Sequence, residues 1–230
     1  MPASSSRVLL TGANIGVVTT VSERDRPYHH GNLRNALVGA GVELATESGP
    51  SAILLREAAR RVGVSHNAGY RHFAGREELV AAVAERGMAQ LAAAMTAALA
   101  AVPLDVGMGA SDRARARLRA IGRAYVAFAL AEPGLFRTAF SAGSVRVAEQ
   151  PTQWEGAAPY AILGAVVDEF VAAGLMPAAS RAQSEVVAWS AVQGLATLLL
   201  DGPLRDLPND QAAAALDRLC DVIQDGFSTF

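Results

Sequence analysis

The sequence predicts an all-α chain: a front module of three helices, joined by one long helix to a helical bundle. Three observations carry that expectation. From Asn32 onward, apolar residues return at three- and four-residue steps and never settle into strict alternation. Stop signals such as Ser48-Gly49-Pro50, and the Gly- and Pro-punctuated stretch from Pro103 to Ser111, cut that pattern into separate helices. The chain has 230 residues, 51% of them hydrophobic, which is enough to bury a substantial core in one or two small domains.

The elements follow in order. The first 22 residues carry a broken apolar run, "RVLLTGANIGVV", without the continuity of a signal peptide. Within it, Thr11-Gly12 and Gly16 resemble the opening of a short-chain dehydrogenase fingerprint. Val18 stands where the next glycine is required, and no helical pattern follows. Residues 1–27 are therefore expected to form a flexible arm. The first helix places Leu33, Leu37, Ala40 and Leu44 on one face. Gly49 can take a left-handed cap, and Pro50 cannot continue the helix. A second helix spans Leu55 to Val62, with Leu55, Ala59 and Val62 inward and Arg56, Arg60 and Arg61 elsewhere. Gly63-Val64 makes a tight turn, and Ser65 is a good N-cap for a short third helix through Phe73.

A fourth helix carries Leu79, Val83, Leu91, Met95 and Leu99 on one face. At about 1.5 Å per residue it is long enough to connect two domains. Further helices are expected at about Asp112–Ala131, Leu135–Ser141, Trp154–Gly174, Arg181–Asp201 and Asn209–Phe227. The organisation expected is an arm (1–27), a front module (28–75) and a helical body (76–230).

Charge and composition remove several functions. The net charge is only -2, so no global field draws the chain to a polyanion. Between Arg24 and Phe73, however, seven arginines face four acids and all four histidines occur; from Leu91 onward ten arginines face fourteen acids. The basic surface belongs to the front. No lysine occurs, which excludes Schiff-base chemistry and the P-loop cradle. Cys220 is the single cysteine, so no intrachain disulfide is possible, and a reducing, cytoplasmic setting is expected. No apolar run of about 18 residues predicts a membrane span, and no membrane partner is expected. Neither a catalytic constellation nor a metal or cofactor site is expected.

Two short helices joined by a Gly-containing turn describe a helix-turn-helix, whose second helix enters the major groove of DNA. That explains the crowding of polar groups in "VGVSHNAGYRHFAGREEL". The stretch "YHHGNLRNALVGAGVELATESG…LREAARRVGVSHNAGYRHFAGREELVAAVAERG" resembles the DNA-binding domain of the tetracycline-repressor (TetR) family of bacterial transcriptional regulators. The resemblance implies that His66, Asn67 and Ala68 face base edges. It assigns Tyr70, His72 and Arg76 to phosphate, with Arg71 reaching either. Three positions depart from the family pattern. Leu54 and Leu55 stand where the second helix usually opens with Ser or Thr. Gly69 stands where an apolar residue or proline is usual, at a cost of about 1 kcal/mol in helix propensity, so this helix is expected to order fully on DNA. Arg76 replaces a lysine, keeping the charge and adding a bidentate fork.

In the rear half, "LRAIGRAYVAFALAEPGLFRTAFS" and "EVVAWSAVQGLATLLLDGPL" resemble the WHG-type ligand-binding domain of some TetR-family proteins. Trp189 and Gly194 match that motif, and Gln193 replaces its histidine. An apolar interior with a few polar anchors suits a small molecule, and Tyr125, Phe128, Tyr160, Trp189 and Gln193 are its expected lining. Leu195, Leu198, Leu216, Leu219 and Ile223 on the last two helices are the expected homodimer interface. The function expected is a ligand-responsive regulator, most simply a repressor released from a palindromic operator. The competing expectation is a helical dimeric sensor whose front module does not bind DNA.

Overall fold

A computed structural model describes residues 30–103, 107–141 and 158–227. Among them are nine α-helices and no strand: α1 (His30–Ser48), α2 (Leu55–Val62), α3 (His66–Tyr70), α4 (Arg76–Ala100), α5 (Ala110–Ala131), α6 (Pro133–Ala139), α7 (Ala158–Ala172), α8 (Ser184–Leu200) and α9 (Asn209–Phe227). The arm at 1–27, with Thr11 and Gly16, lies outside the described residues, as does Trp154.

Helices α1 to α3 close around Leu37, Ile53, Phe73, Leu79 and Val83, all fully buried. The stops act as expected. Gly49 has φ 77° and donates its N–H to the Ala45 carbonyl at 2.8 Å. Gly63 has φ 76° and caps α2 by donating to Ala59 and Arg60. One boundary moves. The third helix ends at Tyr70 instead of Phe73, because the N–H groups of both His72 and Phe73 turn back onto the Gly69 carbonyl.

Helix α4 is shared between two cores. Its first turns place Leu79, Val80 and Val83 in the front module, and its later turns place Leu91 and Met95 in the rear. Twenty-five residues give about 37 Å of length. The rear is a bundle of α4, α5, α7, α8 and α9 around Tyr125, Phe136, Val166, Val167 and Phe170. A smaller cluster of Val126, Leu199, Leu216 and Cys220 closes the α5–α8–α9 edge. Along that edge three α5 side chains meet α9: Arg115 with Gln224, Arg119 with Asp221 and Arg123 with Asp217. Their four-residue spacing keeps them on one face of α5.

Helix α6 is short but joins the two halves. Leu135 is wholly buried in the front core, while Phe136 is buried in the rear core.

Candidate DNA-reading face and ligand chamber

The short helix α3 is built to present its N-terminus. Ser65 accepts the Ala68 N–H at 3.3 Å, satisfying one of the free donors of the first turn. His66, Asn67, Tyr70 and Arg71 are exposed, Tyr70 by 49%. His66 and Tyr70, one turn apart, meet edge-on with centroids 4.7 Å apart, so the two rings brace each other on the outer face. Ala68 is half-buried against the front core, which leaves part of its methyl at the surface. His72 is half-buried just beyond the helix.

Helix α3, from His66 to Tyr70, runs through Gly69. A Cβ at this position would lie 3.2 Å from Leu55 Cδ1, so the missing side chain makes room for that leucine. Two departures from the family pattern, Leu55 and Gly69, are thus one packing solution.

Arg76 opens α4 against the helix dipole. Its guanidinium donates to the Pro50 carbonyl at 2.9 Å, an internal partner that accounts for its placement. That bond engages one of five donors, and the side chain remains exposed. Glu78 accepts the Ala74 N–H at 2.6 Å and covers the start of the same helix. The arginines of α2 divide. Arg60 pairs with Glu57, and Arg61 pairs with Glu47 across to α1. Arg56 is exposed. Arg34, which no spacing in the sequence singles out, holds its guanidinium 4.9 Å from the ring centroid of buried Phe73.

In the rear bundle a chamber of ≈ 40 Å³ lies between α4, α5, α7, α8 and α9. Tyr125, Tyr160 and Trp189 line it, as expected from sequence, together with Met95, Leu118 and Cys220, which were not. No charged side chain is among its described lining residues. Trp189 Nε1 donates to the Tyr125 hydroxyl at 2.9 Å, and that hydroxyl donates to Gln193 Oε1. Gln193 therefore stands behind Tyr125, outside the lining. Phe128 is also outside it, packed between the front and rear cores. Burial pushes the Tyr125 phenol above its ordinary range, with the Trp189 bond acting weakly the other way. Burial likewise raises the Cys220 thiol, so both groups are neutral.

An aromatic chain leads from the chamber to α6. Tyr160 and Trp189 lie 6.0 Å apart, Trp189 and Phe140 6.1 Å, and Phe140 and Phe136 4.8 Å. Tyr125 meets Phe136 edge-on at 5.6 Å. At its other end α6 abuts α1 so closely that a Cβ on Gly134 would fall 1.8 Å from the Ala45 carbonyl oxygen. The Thr46 hydroxyl donates to Glu132 at 3.2 Å, and Arg137 binds Asp201 at the end of α8 through two nitrogens.

The expected dimer residues divide between two faces. Leu198 is 42% exposed, and Leu195 and Leu219 are half-buried. Leu216 is buried inside the protomer; Ile223 is buried too, lining the chamber on one side and a groove shared with Val187, Leu219 and Val222 on the other. The steps Leu216–Cys220–Ile223–Phe227 form the inward stripe of α9. Val222 points outward, 52% exposed, and shares a groove with Val187 of α8, 62% exposed; Val186 is 38% exposed.

A helix-turn-helix head, one long shared helix and a helical body with an apolar chamber make up the architecture of a DNA-binding regulator. Residues 37–83 match the family described as bacterial regulatory proteins, tetR family, and residues 118–223 match the tetracyclin repressor-like C-terminal domain. A Rhodococcus sp. RHA1 structure of a protein with unknown function is 31% identical, covering 89% of this chain and 100% of its own, with a TM-score of 0.70. The TetR-family regulator PfmR from Thermus thermophilus shares the fold at 20% identity, with 82% of this chain and 96% of its own covered and a TM-score of 0.55. So does TetR-Q116A from Acinetobacter baumannii AYE in complex with minocycline, at 19% identity, with 84% and 94% covered and a TM-score of 0.57. No protein with a curated description matches the chain. The chain belongs to the TetR family of bacterial transcriptional regulators.

Proposed function

We propose that this regulator acts as a homodimeric repressor, released from a palindromic operator when a small apolar molecule enters the rear chamber. The observation that carries this reading is the position of α6. It touches the chamber wall through Phe136 and the backbone of α1 through Gly134. A shift of either neighbour is therefore felt by the other, since packed interiors do not deform continuously. The effector must favour the released arrangement in free energy; equal affinity for both would shift nothing.

At the DNA, His66 and Asn67 read base edges, with Ala68 offering only a methyl edge. Tyr70, His72 and Arg76 hold phosphates, and Arg71 serves either role. Arg34 and Arg56 add positive charge beside them. In the body, Tyr125, Tyr160 and Trp189 line the effector site, while Phe128 and Gln193 support it from behind. The second copy packs on the outer face of α8 and α9, where Val186, Val187, Leu198 and Val222 are exposed. Paired heads then read half-sites about one helical turn apart. A chain of this fold that holds minocycline supports a small-molecule role for the body without assigning that ligand here.

The test is selection of an operator from a random DNA pool, followed by a small-molecule screen for release. Enrichment of a palindrome whose complex dissociates on ligand addition is expected. Binding that follows salt alone, with no enriched sequence, would sink the proposal.

A further inference from the structure

We infer that the effector is a compact, uncharged aromatic molecule of about single-ring size, and that Met95 is the side chain that yields to admit it. This rests on the reading of the rear chamber as the effector site and adds the chemistry it selects.

Charge decides first. Arg119 and Arg123, next in sequence to the lining residues Leu118 and Gly122, are paired with Asp221 and Asp217 along the α5–α9 edge. An ionised ligand would lose its hydration and meet no counter-charge among the described lining. Hydrogen bonding decides next. The Trp189 indole, the Tyr125 hydroxyl and the Gln193 carbonyl oxygen already satisfy one another in series. A polar ligand would have to break that series to gain a partner from it. Beyond the Tyr160 hydroxyl, the lining is mostly soft and polarisable: three aromatic rings, the Met95 thioether and the Cys220 thiol. Ring edges and sulfur both favour an aromatic guest over a saturated one of the same shape.

Size completes the argument. A cavity known to hold benzene, in an unrelated engineered lysozyme, has about 150 Å³; the chamber here has ≈ 40 Å³. Entry of even one ring requires a wall to move. A Cβ on Gly122 would already sit 3.3 Å from Cys220 Sγ, so that part of the wall is tight. Ala188 has no side-chain torsion to change, and Ile223 is β-branched and stiff. Met95 is unbranched, with three rotatable bonds, and adapts most readily. It also sits on α4, the helix that enters the front module, so its displacement falls on the element shared with the DNA-reading head.

Full-length protein should be titrated with a shape-matched series: toluene, methylcyclohexane, benzoate and benzylammonium. Calorimetry and the thermal midpoint provide the readout. Toluene is expected to bind and raise the midpoint, methylcyclohexane to bind more weakly, and the two ions to do neither. Ala188→Leu fills the chamber and should weaken toluene by about tenfold or more. Met95→Ala enlarges it and should tighten toluene and newly admit naphthalene. An ion binding as tightly as toluene, or a natively folded Ala188→Leu variant with unchanged affinity, overturns the assignment. Equal affinity for methylcyclohexane overturns its aromatic part. Should Ala188→Leu fail to fold, Met95→Ala decides, and no gain there removes the role of Met95. Operator release measured in parallel separates the two readings. Toluene binding without release would leave the ligand class standing and sink the effector reading. Release by a charged compound that does not compete with toluene would place the effector elsewhere.

Discussion

Asn67 and Arg76 lie nine residues apart and are expected to fail in different ways. Asn67 is exposed in the first turn of α3, where a side-chain amide reaches a base edge. Asn67→Ala should cost about 1–3 kcal/mol on the operator and relax one base position per half-site, with random DNA bound almost as before. Arg76→Ala should weaken operator and random DNA together and lower the salt slope by about one per protomer. Parallel titrations at several salt concentrations check both; equal losses on random DNA would refute the docking of α3. A second residue-scale expectation concerns acid. The hydrogen bond from Arg61 holds the Glu47 carboxyl below its ordinary value, with burial opposing more weakly. A depressed native value stabilises the fold above the unfolded glutamate pKa of about 4.3, and that contribution disappears as pH falls through the native value. Arg61→Met should therefore remove a small stabilisation at neutral pH, small because the pair is largely exposed, leave stability below the native value unchanged, and so flatten the acid limb near pH 4.

Helix boundaries were legible because the signals that end a helix are local. Leu55–Val62 and Asn209–Phe227 fall where periodicity and stops place them. Which side of a helix faces a partner was less legible. The apolar positions of α9 run round more than half its circumference, and only the packed protomer shows Leu216 and Ile223 inside with Val222 outside. The chamber shows the same division. Aromatic residues with polar handles pointed to Tyr125, Tyr160 and Trp189, but Met95 and Cys220 look like any core residue in sequence, and Phe128 like any pocket residue. Gly69 was read as a weakness of α3 because propensity is a property of one helix, whereas its cause lies on α2. A double-mutant cycle tests this. Gly69→Ala adds about 1 kcal/mol of propensity but presses on Leu55, so it should stabilise more in a Leu55→Ala background than in the parent chain. Equal increments in chemical denaturation would show the two positions to be uncoupled.

For the molecule as a whole, the proposed assembly runs through the outer face of α8 and α9. Val187→Glu or Val222→Glu places an unpaired charge on that face and should yield folded monomers by light scattering, with weakened operator binding. Leu216→Glu puts its charge inside the protomer and should lower the thermal midpoint instead. Dimers that persist in both surface variants would move the interface elsewhere.

The contact between Gly134 and Ala45 bears on how such regulators can be recombined. A front module transplanted at the start of α4 would leave behind the α6 surface against which α1 is moulded. Any donor with a side chain at the position of Gly134 would meet the Ala45 carbonyl head-on. The exchangeable cassette is consequently discontinuous: helices α1 to α3 and the first turns of α4 together with Glu132, Gly134 and Leu135. Hybrid regulators that carry those three residues with the head are expected to keep their response, whereas hybrids cut at a single point are expected to bind DNA and ignore the effector.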